Sequence, residues 1–262
     1  MITEAITSDR NPLLKDIRRA VSRGSLTEDG FAVAESFHLL EEALAADCEV
    51  GSVMVAESVK STVAAHLRGL RKSRVIAVRD SIFATLASTE STRGVIALVR
   101  PPAWTLDQLL RGKALVVVLD GVQDPGNAGA ILRAAEAFGA TGAAFLKGSV
   151  SPYNPKSLRA SAGSIFRLPI VAAADENLLL AAFDQRGVAL YAASPRAARS
   201  LVDADLSGRA AIAIGSEGRG ISPKLAEHAT GIKIPTSGVE SLNAAVAAGV
   251  LLYEARRQRT SA

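Results

Sequence analysis

The sequence predicts an α/β protein of two domains, the second built on a parallel sheet, and three features carry that expectation. From residue 114 onward the apolar runs are long and nearly unbroken: 114–119 ("ALVVVL"), 142–146 ("GAAFL"), 188–193 ("VALYAA") and 210–214 ("AAIAI"). Runs of that kind, interleaved with stretches of helical spacing, mark parallel strands covered on both faces. The first hundred residues instead alternate short β-rich runs with helical segments, the pattern of a smaller α/β unit. Between the two regions, Pro101 and Pro102 break any continuing strand. The expected boundaries are residues 1–100 for the first domain, 101–112 for a linker within "VRPPAWTLDQLLRGK", and 113–262 for the second.

The elements follow in order. A first helix carries Lys15, Arg18, Arg19 and Arg23; strands are expected at 31–35 ("FAVAE"), 52–56 ("SVMVA"), 75–78 and 95–99, with helices over "SFHLLEEALAA" and "STVAAHLRGLRK" between them. In the second domain the helix after residue 124 has Ile131, Leu132, Ala135 and Phe138 as its apolar stripe, with Asn127 as a candidate cap and Arg133 off the stripe. Near residue 234 a strand ends at Ile234-Pro235, a glycine-containing loop follows, and Ser241 or Asn243 caps a long last helix. Its Ala244, Ala245, Ala247, Ala248 and Gly249 allow close packing.

Composition narrows the function classes. The chain has 262 residues, enough for two cores, and 48% hydrophobic with 21% charged residues is the balance of a soluble globular protein. The net charge of +4 permits a polyanionic partner without requiring one. Basic residues cluster on the first helix and again over 60–79, where Lys60, Arg68, Arg71, Lys72, Arg74 and Arg79 meet no acidic residue. Such runs are solvated faces or phosphate contacts, and aromatics at 4% argue against a base-stacking platform. One cysteine, Cys48, excludes an intramolecular disulfide, and His38, His66 and His228 lack ligand spacing, so no metal is expected. The amino terminus has no apolar signal core and no run of about 18 apolar residues occurs, so a cytoplasmic location is expected.

The familiar phosphate and nucleophile motifs are missing: no G-x-G-x-x-G after a strand, no G-x-x-x-x-G-K-[ST], no G-x-S-x-G. A nucleotide-binding oxidoreductase loses its main support. Three other segments stand at strand ends, where open parallel sheets bind ligands. They are "LDGVQDPGNAGAILRAAEAFGA" (119–140), "AIAIGSEGRGIS" (211–222) with Gly215, Gly218 and Gly220 around Glu217, and "IKIPTSGVESLNAAVAAGVLLYEARRQR" (232–259). Each alone also reads as a tight turn and a helix start.

Together, in this order, they resemble the three signature motifs of the SpoU (TrmH-like) branch of the SPOUT RNA methyltransferases, across residues 113–259. "SPYNPKSLRASAGSIFRLPI" (151–170) is similar to the segment that family places between its first two motifs. Upstream, "ITSDRNPLLKDIRRAVSRGSLTEDGFAVAE" is similar to the L30e-like substrate-binding domain of the ribosomal RNA members. Two positions depart from the family: Ser36 stands where a glycine usually follows the glutamate, and Thr236 replaces a common methionine.

The resemblance implies a second domain with a deep trefoil knot that binds S-adenosylmethionine, contacted by Gly215, Ser216, Gly220, Ile234 and Leu242, largely through backbone. It implies a homodimer whose active site draws on both subunits, with Arg133, Asn127, Glu217, Ser241 and Asn243 at the catalytic centre. The reaction would be methyl transfer to a ribose 2'-hydroxyl of RNA, with 23S ribosomal RNA favoured by the upstream domain. Lys15, Arg18, Arg19, Arg68, Arg71 and Lys72 are the expected RNA contacts. A transfer RNA substrate and a non-catalytic RNA-binding protein are the alternatives.

Overall fold

The computed structural model describes residues 4–63, 73–88 and 93–260. The chain divides into two compact units, Met1–Pro102 with Tyr153–Phe166, and Ala103–Pro152 with Arg167–Ala262. The segment 153–166 therefore packs within the first unit, although it stands inside the stretch expected for the second domain.

In chain order the first unit runs β1 (Glu4–Ile6), α1 (Pro12–Arg23), β2 (Ala32–Glu35), α2 (Phe37–Ala45), β3 (Glu49–Ala56), α3 (Lys60–Val63), β4 (Arg74–Val78), α4 (Asp80–Phe83) and β5 (Val95–Arg100). The chain continues with α5 (Leu106–Leu109), β6 (Leu115–Asp120), α6 (Pro125–Ala137), β7 (Gly142–Leu146), α7 (Pro155–Ser161) and α8 (Ser164–Arg167). It ends with β8 (Ile170–Ala174), α9 (Glu176–Arg186), β9 (Ala189–Ala193), β10 (Arg199–Ser200), β11 (Ala210–Gly215), α10 (Pro223–His228), β12 (Thr230–Lys233) and α11 (Ala244–Thr260).

In the first unit the described strands form a sheet ordered β1-β4-β3-β5-β2. Strands β1, β4 and β3 run parallel, and β5 pairs antiparallel with both β3 and β2. Helix α1 starts cleanly because the Asn11 side chain accepts from Leu13 N and Pro12, which has no N–H to satisfy, takes the first helical position. It buries Leu14, Ile17 and Ala20 against Met54, Ile76, Ile96 and Leu98 of the sheet. β3 begins at Glu49, earlier than the sequence run suggested, and its register against β5 slips between Val50 and Ser52. The helix expected over "STVAAHLRGLRK" is described only through Val63, and the remainder lies outside the described residues.

The segment 153–166 is fastened inside this unit by a buried ion pair. Arg159 Nη1 lies 2.8 Å from Glu35 Oε2, whose carboxylate also accepts from the backbone N–H and hydroxyl of Ser88. The Glu35 side chain is fully buried, so these partners are what make its charge tolerable. Next to it Ser36 has φ 144° and caps α2 by accepting from Leu39 N. That is a backbone conformation glycine adopts freely, and it explains why the family's glycine position is demanding.

The second unit holds a sheet ordered β10-β12-β9-β11-β6-β7-β8, with every described pairing parallel. From β6 the chain builds outward through β7 and β8, then crosses to β9 and returns to insert β11 beside β6. The strand order thus reverses between β6 and β11, which makes their carboxyl ends the topological switch point where open α/β sheets hold ligands. Val116, Val118, Ala211 and Ala213 pack with Leu179, Leu180 and Phe183 of α9 on one side. On the other, α11 packs on α6 and β11 through Ala248, Leu251, Leu252 and Ala255. The small side chains seen in the sequence account for that close approach. Among the described residues no helix is long and apolar enough to cross a membrane.

Candidate active site

Asp120, Gly215 and Lys233 end β6, β11 and β12, and the chain leaves each strand into one of the three singled-out segments. Helix α6 is capped by Asp124, whose side chain accepts from Asn127 N at 2.7 Å, and Pro125 occupies its first turn. This corrects the expectation that Asn127 is the cap. With Asp124 in that role, the Asn127 amide is free to act across the fold.

That amide is the hub of the site. Asn127 Nδ2 donates to Glu217 Oε1 at 2.9 Å, and Asn127 Oδ1 accepts from Asn243 Nδ2 at 2.9 Å. Asn243 in turn caps α11, its Oδ1 accepting from the N–H groups of Ala245 and Val246. One chain of side-chain bonds therefore runs from the start of α11 through α6 to the loop after β11, uniting all three segments. The cap falls to Asn243 and not to Ser241, which is exposed and makes no hydrogen bond to the hub among the described residues.

The network leaves capacity unused. Glu217 is exposed in the turn after β11, and its Oε2 has no hydrogen-bond partner among the described residues. Arg133 stands six residues beyond Asn127, about 9 Å further along α6. Its side chain is exposed and makes no hydrogen bond or ion pair among the described residues. The neighbours Ile131, Leu132 and Ala135 are buried as expected, and Phe138 ends the helix with its ring edge-on to Tyr253.

The loop after β11 is folded tightly on itself. Ser216 and Gly220 exchange both backbone bonds, at 3.1 and 2.9 Å, and Ser216 Oγ accepts from Arg219 N. A Cβ on Gly215 would lie 2.6 Å from Ile221 N and closer still to the Gly220 carbonyl, so only glycine fits there. Gly220 has φ 69°, and where its Cβ would stand there is open space. Ile234 and Leu242, half-buried, flank the loop that leads from β12 to α11. Beneath, Asp120 Oδ2 accepts from Ser222 N at 2.6 Å and the Ser149 hydroxyl braces Gly121 N, two supports no sequence motif had marked. Among the described residues no group of three His, Cys, Asp or Glu side chains is placed to hold a metal.

Residues 114–253 match the model of the SpoU rRNA Methylase family, more than half of the chain. The chain belongs to the SpoU rRNA methylase family. Upstream, residues 11–97 match an MRM3-like substrate binding domain. This SpoU-family chain is 37% identical to an uncharacterized tRNA/rRNA methyltransferase of Synechocystis sp., across 98% of its own length and 95% of that protein. It is 42% identical to the 23S rRNA (guanosine-2'-O-)-methyltransferase RlmB of Xanthomonas campestris pv. campestris, over 60% of this chain and 64% of that one. Its fold superposes on the SpoU methyltransferase AviRb from Streptomyces viridochromogenes, solved in complex with AdoMet, with a TM-score of 0.88. The sequences there are 28% identical, and the match covers 96% of this chain and 99% of that one.

Of the expected RNA contacts, Lys15 is exposed and Arg18 is half-buried, whereas Arg19 is engaged locally by Asp16 at 2.6 Å and Glu28 at 2.5 Å. The bond to Asp16, then that to Glu28, hold its pKa above the ordinary value. Arg68, Arg71 and Lys72 lie outside the described residues.

Proposed function

We propose that this chain transfers the sulfonium methyl of S-adenosylmethionine to a ribose 2'-hydroxyl of RNA, with 23S ribosomal RNA as its substrate. The single observation that carries the reading is the Asn243–Asn127–Glu217 chain, which ties three distant segments together at the switch-point crevice. The named activity of the RlmB relatives and the substrate-binding domain upstream support ribosomal over transfer RNA. An intact polar hub and an unengaged Arg133 speak against a non-catalytic binding protein.

The residues present fit the cofactor. Gly215 lets the loop after β11 fold tightly, the bare backbone at Gly220 faces open space, and Ile234 and Leu242 offer apolar edges. Gly215, Ser216, Gly220, Ile234 and Leu242 would hold it, mainly through backbone groups, and bound there it supplies an activated methyl on a positive sulfur. The remaining work is alignment, charge stabilisation and exclusion of water. Arg133 presents a cationic guanidinium with five N–H donors and no acceptor, so its part is to grip an RNA phosphate and offset developing alkoxide charge. Glu217, oriented by Asn127, offers Oε2 as the acceptor for the hydroxyl proton. Ser241 adds a hydroxyl donor beside the α11 cap.

The same reading makes the protein a cytoplasmic homodimer with the family's trefoil knot. Val246, Val250 and Tyr253 follow one another at helical spacing along α11 and remain exposed, Tyr253 by 56% and Val246 by 53%. A second copy would cover that stripe, and in the composite site the family resemblance implies, Arg133 of the partner subunit joins this hub. Labelled methyl transfer to unmodified 23S ribosomal RNA and, separately, to transfer RNA tests the proposal. Alkali-resistant label in the ribosomal RNA is the expected result; label confined to transfer RNA, or absent from both while the cofactor binds, would contradict it.

A further inference from the structure

On the first unit, the chain leaves the neighbouring parallel strands β1 and β4 on the same side, and an open groove of about 620 Å³ lies at those carboxyl ends. Arg18, Arg79, Ser8, Ser81, Thr85 and Asp9 line it. This is the position at which a parallel sheet presents a crevice to a ligand.

The two arginines differ from others of the same unit. Arg19, Arg74, Arg100 and Arg159 are each held by a carboxylate: Asp16, Glu4, Glu49 and Glu35. Arg18 instead donates through Nε and Nη2 to Thr85 Oγ1, at 3.0 and 2.8 Å, and through Nη1 to the Asp9 carbonyl at 2.9 Å. These acceptors are neutral, so the guanidinium is fixed in place with its charge uncancelled by direct pairing and two N–H groups to spare. The Arg79 side chain is exposed and makes no hydrogen bond or ion pair among the described residues. Hydroxyls of Ser8 and Ser81 add donors, whereas the Thr85 hydroxyl is spent on the Ile82 carbonyl and on Arg18, and none of the lining residues is aromatic.

We propose that this groove is a phosphodiester-binding subsite, which grips the RNA backbone away from the reacting ribose. Two guanidiniums against the Asp9 carboxylate leave a net charge of about one, matched to one phosphodiester. Without a stacking ring or an amide facing a base, the groove fixes register and not sequence. The inference rests on the RNA methyltransferase reading and places a substrate contact far along the chain from its catalytic segments.

The test uses the full-length protein and unmodified 23S ribosomal RNA, with binding measured from about 50 to about 200 mM KCl. Arg79→Ala is the informative variant, since Arg18 also braces Thr85. Its affinity should fall about five- to tenfold and its slope of log K against log salt should drop by about one, while S-adenosylmethionine binding and the rate at saturating RNA hold. Arg79→Lys should restore most of the slope. An unchanged affinity and slope in Arg79→Ala, with the wild type binding RNA well, would overturn the groove and leave the methyltransferase reading standing. A wild type that binds no RNA strikes both. A loss seen only with assembled ribosomal subunits, and not with naked RNA, would assign the groove to a protein partner and overturn the proposal.

Discussion

At the amino ends of β6 and β11, Arg259 of α11 donates to the carbonyls of Lys113 and Ala114, which lead into β6, and of Leu206 and Gly208, which precede β11. Gln258 beside it bonds both Leu206 N and Ala204 O. At the carboxyl ends of the same strands Asp120 braces the loop after β11 through Ser222 N, the exposed ties are the neutral amides Asn127 and Asn243 holding the Glu217 carboxylate, and the Arg133 side chain on α6 has no bonded partner among the described residues. One end spends an arginine on closing the fold, and burial lowers the pKa of its guanidinium. The other keeps its polar groups oriented but open, the arrangement expected where a substrate must complete the network.

Replacing each arginine should separate the two roles. Arg133→Ala should lower the rate of methyl transfer about 100- to 1000-fold and leave the melting temperature unchanged, because an exposed, unbonded side chain contributes little to stability. Arg259→Ala should do the reverse, destabilising the fold by about 2–4 kcal/mol in urea titration with near-normal transfer per folded molecule. A comparable loss of activity in both variants would erase the contrast.

Asn127→Ala sharpens it within the carboxyl end. Losing both amide bonds should cost about 1–2 kcal/mol of stability and slow transfer by tens of fold, as Glu217 loses its orientation. Tyr253→Glu on the exposed α11 stripe should shift sedimentation toward a monomer with little change in far-ultraviolet circular dichroism. The smallest effect is acid sensitivity at the closed end. Arg257 chiefly holds the Glu254 carboxyl below its ordinary value, and Glu254 also accepts from Gln258. A depressed folded-state pKa contributes stability above the unfolded value and loses it as pH falls through the folded one. The melting temperature should therefore start to drop below about pH 4.5, and less so in Glu254→Gln.

Much of this was legible from residues alone. Long apolar runs marked β6, β7, β9 and β11, and the glycine and proline punctuation located the three segments that meet at the hub. β1 and β8 were not read: Glu4–Ile6 is too short for periodicity, and Ile170–Ala174 is small-residue sequence whose middle positions are exposed. The Glu35–Arg159 pair joins residues 124 apart, which no local pattern reveals. Asn127 was misread as a cap because Asp124 and Asn127 are both capping residue types, and only the placement of Pro125 in the first turn decides between them. Arg19 is neutralised by the nearby Asp16 and Glu28, a local pairing that the count of basic residues on the first helix did not weigh.

The central proposal is that Arg133 of one subunit completes the Asn127–Glu217–Asn243 hub of the other. Mixed dimers of Arg133→Ala with Asn127→Ala test it most directly, through the initial rate of methyl transfer to 23S ribosomal RNA. Each variant alone should be nearly inactive, and after exchange of subunits the mixture should recover about a quarter of the wild-type rate, since half of the dimers then hold one intact site. Recovery no greater than the sum of the two parents would contradict the claim.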